Sequence, residues 1–187
     1  MFTDEKAEEI KTLSAKYGIE ISALWCGWSG PTAWNFTEGP ITLGLVPPEY
    51  RFQRMKELMR GSDFAAMIKV DKMATHVGFI PENLTDPNYL PVVAAVKAVA
   101  NYCKKNGQSF LFETGQETPV TLLRVIEDSG CDNLGINYDT ANLILYGKAN
   151  SADAITVFGK YVMDTHIKDG FYPTDGKSLG KEVKVGE

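Results

Sequence analysis

Glu113, Asp139 and His166 lie 26 and 27 residues apart, and each closes a short, largely apolar run. Ser109-Phe110-Leu111-Phe112 precedes the glutamate, Leu134-Gly135-Ile136-Asn137-Tyr138 the aspartate, and Val162-Met163-Asp164-Thr165 the histidine. A recurring interval means that each side chain leaves the end of its own strand and enters one shared mouth. It is close to the roughly 30 residues of one strand–helix unit when about 250 residues supply eight. Two carboxylates and an imidazole form a mixed oxygen and nitrogen donor set suited to Mn²⁺, Mg²⁺, Co²⁺ or Zn²⁺, with positions left open for substrate oxygens. No thiolate stands among them, which argues against a structural zinc. A single strand-end glutamate reads more readily as a cap or a surface charge. Three such groups in register, each after an apolar strand, favour one divalent-metal site. The chain has two histidines, His76 and His166, and both fall at predicted strand ends.

The elements that position these residues alternate along the chain. Asp4 to Tyr17 has Ala7, Ile10, Leu13 and Tyr17 on one helical face, with Thr3 or Asp4 as cap and Gly18 as stop. Ile19 to Trp25 reads as a strand and residues 26–48 as a long loop rich in Gly, Pro and Trp. Glu49 to about Lys72 reads as a helix interrupted at Gly61-Ser62-Asp63, where Ser62 or Asp63 can cap a second piece. Regular alternation follows: a strand over Met73–Ile80, a helix over Tyr89–Lys105, a strand over Ser109–Glu113 and a helix over Pro119–Asp128. Then come a strand over Leu134–Asp139, a helix over Ala152–Lys160, a strand over Tyr161–His166 and a Gly-rich polar tail.

Five strand-plus-helix units require a parallel sheet, because parallel neighbours are joined by crossover helices. The strands are nearly continuous apolar runs, as expected when both faces are covered. An open doubly wound sheet and a barrel both satisfy this pattern. No dinucleotide-type glycine fingerprint or P-loop follows any strand, which favours the barrel.

Composition narrows the function classes. The 187 residues are 44% hydrophobic and 23% charged, enough for one substantial core and one domain spanning 1–187. A net charge of −5 with no dense basic run argues against a nucleic-acid groove. Cys26, Cys103 and Cys131 are odd in number and far apart, which suits reduced side chains rather than a disulfide framework. No apolar run reaches the roughly 18–20 residues that span a bilayer, and residues 1–10 are polar and acidic, unlike a signal peptide. The expectation is a cytoplasmic protein that binds neither membrane nor nucleic acid.

Three motifs carry a resemblance to a known family. Phe112-Glu113-Thr114-Gly115-Gln116-Glu117, Tyr138-Asp139-Thr140-Ala141-Asn142-Leu143 and Thr165-His166-Ile167-Lys168-Asp169 resemble the sugar phosphate isomerase/epimerase family with the xylose isomerase-like barrel. Thr75-His76-Val77-Gly78-Phe79 resembles its preceding strand end. The resemblance implies an α/β fold of the (β/α)8 TIM-barrel type, with about five of eight strands within these residues. Five strands cannot close an eight-stranded barrel. It also implies that Glu113, Asp139 and His166 bind one divalent metal ion. A second glutamate, on the family's last strand about one unit beyond His166, is the fourth ligand and an acid/base. Glu182 and Glu187 lie in the tail and are not assigned that part.

The activity so implied is a divalent-metal-dependent isomerisation or epimerisation of a small sugar or sugar phosphate. Protons would move through a cis-enediol, with Glu113 as a base. Members are often oligomeric, so a homo-oligomer is expected. Of the softer positions, His76 is either a substrate contact or a hydrogen-bonded core histidine. Asn142 reaches a substrate hydroxyl or stabilises its own turn. Lys168 neutralises an enolate or phosphate, or is simply solvated, and Asp169 orients a neighbour. Trp28 and Trp34 could wall the sugar carbons, whereas Trp25, inside a strand, reads as core. Glu117 reads as a helix cap. The rivals are a lyase such as a keto-inositol dehydratase on the same scaffold, and a barrel fragment that binds without turnover. A DNA-repair endonuclease of the same superfamily needs more histidines and a basic groove.

Overall fold

The computed structural model describes residues 2–187. Helix α1 (Asp4–Tyr17) is capped by Thr3, whose side-chain oxygen accepts from Lys6 N, and is closed by left-handed Gly18. Strand β1 (Leu24–Trp25), a short helix α2 (Gly39–Thr42) and the long helix α3 (Pro48–Met67) follow. Then come β2 (Lys72–Thr75), α4 (Tyr89–Lys105), β3 (Ser109–Glu113) and α5 (Pro119–Ser129). Next are β4 (Leu134–Asp139), the one-turn α6 (Asn142–Leu145) and α7 (Ser151–Phe158), which tightens into a 3-10 turn over Gly159–Tyr161. Strand β5 (Val162–His166) leads into a hairpin of β6 (Asp169–Phe171) and β7 (Lys181–Val183).

The five main strands lie in chain order β1-β2-β3-β4-β5, and every pair is parallel. Each crossover therefore steps one strand further in the same direction. A doubly wound sheet reverses its strand order at a switch point, and this one does not. The result is a curled half-barrel with five of the eight strands of a TIM barrel.

Strand alternation separates two environments. Met73, Phe110, Phe112, Leu134, Ile136 and Tyr138 point outward to the helices and join the main core. There they meet Val92, Val96 and Val99 of α4, Leu122 and Val125 of α5, and Phe158 of α7, all close to fully buried. Burial of each such side chain contributes about 1.5–3 kcal/mol. The intervening residues Ala74, Glu113, Asn137, Asp164 and His166 face the concave side and line its cavity.

Several expected boundaries differ. Helix α3 runs without interruption through Gly61. A Cβ at Gly61 would lie 2.4 Å from Cys26 Sγ, so the glycine admits a close helix–strand approach and does not break the helix. Ser62 is no cap either: its hydroxyl donates to Gln108 Oε1 at 2.5 Å, and Gln108 Nε2 donates to Ser62 O at 2.9 Å. Strand β1 keeps only Leu24–Trp25 of its expected run, and β2 ends early because residues past Thr75 turn away to meet the 26–48 loop. Leu45 N donates to Val77 O at 2.8 Å. Gly44 (φ 68°) and Gly78 (φ 98°) sit back to back there, and a Cβ on Gly44 would lie 1.9 Å from Val77 O. The polar tail forms the β6–β7 hairpin.

The long loop is held by a buried cation. Arg54 is fully buried and donates to the carbonyls of Thr42, Gly44 and Pro31 at 2.7, 2.8 and 2.9 Å and to that of Ser29 at 3.3 Å. Its guanidinium also lies over the Trp28 and Tyr50 rings. Arg51 donates to the carbonyls of Leu45 and Val46. Two arginines of α3 thus satisfy backbone groups that no sheet or helix reaches.

Candidate active site

The carboxyl ends of β3, β4 and β5 bring Glu113, Asp139 and His166 together. One ligand atom from each lies within 4.8 Å of the others. His166 Nδ1 is 2.9 Å from Glu113 Oε1 and 3.0 Å from Asp139 Oδ2. The register explains the spacing. Glu113 pairs with Asn137 and Asp139 with His166, and a bulge in β5 lets Asn137 pair with Asp164 while Ile136 pairs with Val162. The extra residue stretches the β4–β5 offset from 26 to 27 and keeps His166 on the face of Asp139.

Each donor is oriented by its surroundings. Asn137 Nδ2 donates to Glu113 Oε2, which leaves Oε1 turned toward His166. Asp139 Oδ1 accepts from the amides of Ala141 and Asn142 at 2.9 and 2.8 Å, which fixes the turn into α6. Asp139 Oδ2 is buried and completes no hydrogen bond, although His166 Nδ1 is beside it. Thr114 ties the two strand ends: its hydroxyl donates to Asp139 O at 3.0 Å and accepts from Asp139 N at 2.9 Å. Burial raises the Glu113 carboxyl above its ordinary value and the Asp139 charge adds to this, while hydrogen bonds from His166 and Asn137 pull the other way.

These residues fit a divalent cation. One imidazole nitrogen cannot satisfy two carboxylate oxygens with a single proton. Two ligand atoms at right angles on an ion about 2.1 Å away lie about 3.0 Å apart, which matches both contacts of His166. The orphaned, buried Asp139 Oδ2 is the third convergent donor.

The softer positions also meet in one cavity of about 640 Å³. Asn142 serves its turn and the mouth together: Nδ2 donates to Thr114 O at 3.0 Å, and Oδ1 accepts from Lys168 Nζ at 3.0 Å. Lys168 is held rather than solvated, 3.2 Å from Glu182 Oε2 and 3.9 Å from Asp139 Oδ2. Asp169 accepts from Gly170 N and Gly186 N, and so braces the hairpin that carries Glu182 to the rim.

His76 is buried at the cavity wall. Burial first, and then the Lys168 charge, push its pKa down to about 3, so the ring is neutral. Trp34 and Trp25 meet it edge to face with centroids 5.1 and 6.1 Å away. Trp25 is 47% exposed and lines the cavity, against its reading as core: β1 is an edge strand, and the side chain lies on its concave face. Trp28, expected in the same wall, does not line the cavity: it lies behind Trp34, centroids 6.4 Å apart, with the Arg54 guanidinium over its ring.

Glu117 corrects another expectation. Thr118 caps α5, accepting from Thr121 N, while Glu117 is buried with Oε1 accepting from Gly115 N at 3.3 Å. Burial pushes its pKa up to about 7. Gln116, next to it, was not singled out from the sequence. Its side chain is buried and lines the cavity beside His76 and Tyr146. Its position three residues after the strand-end Glu113 was the only signal.

With this geometry, the chain can be compared with known proteins. It is similar to the crystal structure of a xylose isomerase domain protein from Planctomyces limnophilus, 35% identical, with a TM-score of 0.93 over 98% of this chain and 66% of that one. A xylose isomerase-like TIM barrel protein from Mycobacterium smegmatis, solved in complex with magnesium, is 18% identical with a TM-score of 0.67 over 97% of this chain and 62% of that one. An L-ribulose 3-epimerase is 21% identical with a TM-score of 0.67, covering 90% of this chain and 58% of the other. The chain thus spans less than two thirds of the length of these structures, and the last two comparisons speak for the fold alone. No curated protein matches the chain. Among the described residues no helix is long and apolar enough to cross a membrane. Residues 1–187 match the family described as xylose isomerase-like TIM barrel, and the chain belongs to that family.

Proposed function

We propose that this chain carries the metal-binding half of a sugar isomerase or epimerase site, with Glu113, Asp139 and His166 as ligands to one divalent ion. The convergence of Glu113 Oε1, Asp139 Oδ2 and His166 Nδ1 at the strand ends of a xylose isomerase-like barrel carries this reading. The magnesium complex of one structural neighbour and the epimerase activity named for another support it.

An ion held there would polarise a substrate carbonyl and its adjacent hydroxyl, making the intervening C–H more acidic. Glu113 is the base. Its carboxylate takes the carbon-bound proton, the C–H electron pair becomes the carbon–carbon double bond, and the carbonyl π pair moves onto oxygen as a cis-enediolate, which a proton converts to the cis-enediol. Return of a proton to the opposite face of the same carbon gives an epimer. Return to the neighbouring carbon moves the carbonyl. Asn142 and Lys168 lie beside the carboxylates and would hold substrate oxygens. The second acid/base belongs to the family's last strand, outside the five seen here. The substrate is a small sugar or sugar phosphate.

Metal content and proton exchange test this together. The Mn²⁺-loaded protein should exchange a sugar C–H for deuterium in D₂O, read by NMR, without loss of water from the sugar. Dehydration to an unsaturated product would replace the isomerase reading by the lyase. Glu113→Gln and His166→Ala should each abolish stoichiometric metal uptake. Unchanged metal content in both variants would remove the site.

A further inference from the structure

The β6–β7 hairpin brings to the mouth a carboxylate that the metal chemistry does not use. Glu182 lines the cavity, and its Oε2 lies 3.2 Å from Lys168 Nζ. The hairpin is fitted to the barrel rather than hanging from it. Gly180 N donates to Leu145 O of α6 at 2.8 Å, and the Tyr172 hydroxyl donates to Gly147 O at 2.9 Å. Two glycines permit this approach. A Cβ on Gly180 would lie 2.1 Å from Phe171 O and 3.0 Å from Leu145 Cα, and one on Gly170 would lie 2.5 Å from Leu145 Cδ2. Gly170 is also the register partner of Glu182, so the packing that seats the hairpin on α6 sets where Glu182 stands.

We infer that Glu182 is a specificity-determining residue: by holding Lys168 it keeps anionic groups out of the mouth, which takes an uncharged substrate and rejects its phosphate ester. This rests on the sugar-converting reading above and narrows it. Among the described residues, Lys168 is the only Lys or Arg that lines the cavity, and so the only ammonium there for a phosphate. An ammonium has three N–H donors. Asn142 Oδ1 accepts from Lys168 Nζ at 3.0 Å, Glu182 Oε2 lies at 3.2 Å, and Asp139 Oδ2 at 3.9 Å. The lysine is therefore ringed by acceptors of this chain. A phosphate dianion placed there would have to displace one of them and stand beside two carboxylates of its own sign. A hydroxyl meets no such repulsion, because it can donate to Glu182 and accept from Lys168. The wider charge balance agrees. Glu113, Asp164 and Glu182 line the cavity with Asp139 beside them, and His76 is neutral. Four carboxylates still outweigh Lys168 and a bound divalent ion by one formal charge. Asp139 is committed to its turn and to the metal, which leaves Glu182, carried by the hairpin, as the group that decides whether Lys168 is free to bind an anion.

The test is calorimetric titration with inorganic phosphate, the charge that every phosphate ester shares, at low ionic strength on EDTA-treated and on Mn²⁺-loaded protein. In both states Glu182→Gln should bind phosphate about tenfold or more tightly than wild type. Lys168→Met added to Glu182→Gln should remove that gain, and high salt should shrink it by screening. Glu182→Asp, which keeps the charge, should still reject phosphate. The Glu182 side chain is more than half exposed, so these variants should fold, and Glu182→Ala serves as a second neutral variant. Equal phosphate affinity in wild type and both neutral variants would overturn the proposal. A gain that survives Lys168→Met would overturn it too, because the phosphate would then sit elsewhere. Failure of the wild-type protein to take up Mn²⁺ would instead overturn the underlying metal reading, and the EDTA-treated titrations would still decide the part played by Glu182.

Discussion

The two sides of the mouth are built differently. On the β3–β5 side, Glu113 and Asp139 are buried, and hydrogen bonds from Asn137, Ala141 and Asn142 leave one carboxylate oxygen of each turned inward. On the β1–β2 side, Trp34, which meets His76 edge to face, is carried by the 26–48 loop, which Arg51 and Arg54 tie down through backbone carbonyls. One side is aimed by strand register and the other by a buried cation threading a loop. Register places a group to within a side-chain length with no further support. A loop with no ladder of its own needs partners for every carbonyl.

This contrast can be broken most forcefully at Arg54. Arg54→Met leaves four carbonyls short of a donor, and should destabilise the fold by about 3–5 kcal/mol in urea titration. Mn²⁺ affinity under native conditions should stay within about threefold of wild type. If metal affinity collapses with the loop, the two sides are not separate.

Glu117 comes next, since it lies behind the ligand side without joining it. Its folded pKa of about 7 stands above the ordinary 4.5, so the native state binds the extra proton between those values. Stability from this group is therefore fully present below about pH 4.5 and is lost as pH rises through 7. Glu117→Gln should remove this slope and make the protein more stable than wild type at pH 8, by up to about 3 kcal/mol, with little difference at pH 4.5. Parallel pH–stability curves for the two proteins would show that Glu117 is solvated or paired after all.

Asn137→Ala probes the orientation of Glu113. Loss of a partner that orients a ligand typically costs 10- to 100-fold in metal affinity, about 1.4–2.7 kcal/mol, and Mn²⁺ titration should show a loss in that range. A smaller loss would mean that burial alone orients Glu113. The smallest expected effect is Trp34→Ala. This exposed side chain should change stability by no more than about 0.5 kcal/mol and leave Mn²⁺ affinity unaltered. A large drop in melting temperature would give Trp34 a packing role in place of a wall.

How much of this was legible varied with the kind of constraint. Helix α4, strands β3 and β4 and the caps Thr3 and Gly18 were readable because periodicity and cap chemistry are local. The break at Gly61 and the reading of Trp25 as core were wrong for one reason. A glycine that admits a neighbour looks in sequence like one that ends a helix, and an edge strand looks like a central one. Gln116 and Arg54 had no pattern to betray them, since their surroundings come from segments such as β2 and the 26–48 loop that are distant in the chain.

The sequence by itself determined the identity and order of Glu113, Asp139 and His166 at successive strand ends, because a period of two along each strand and a fixed unit length between strands leave little freedom. Only the tertiary structure decided that three of their atoms converge within 4.8 Å, that a bulge in β5 keeps His166 on the face of Asp139, and that His76 and Gln116 share their cavity. Those depend on sheet curvature and loop packing, which are set by contacts among residues far apart in the chain.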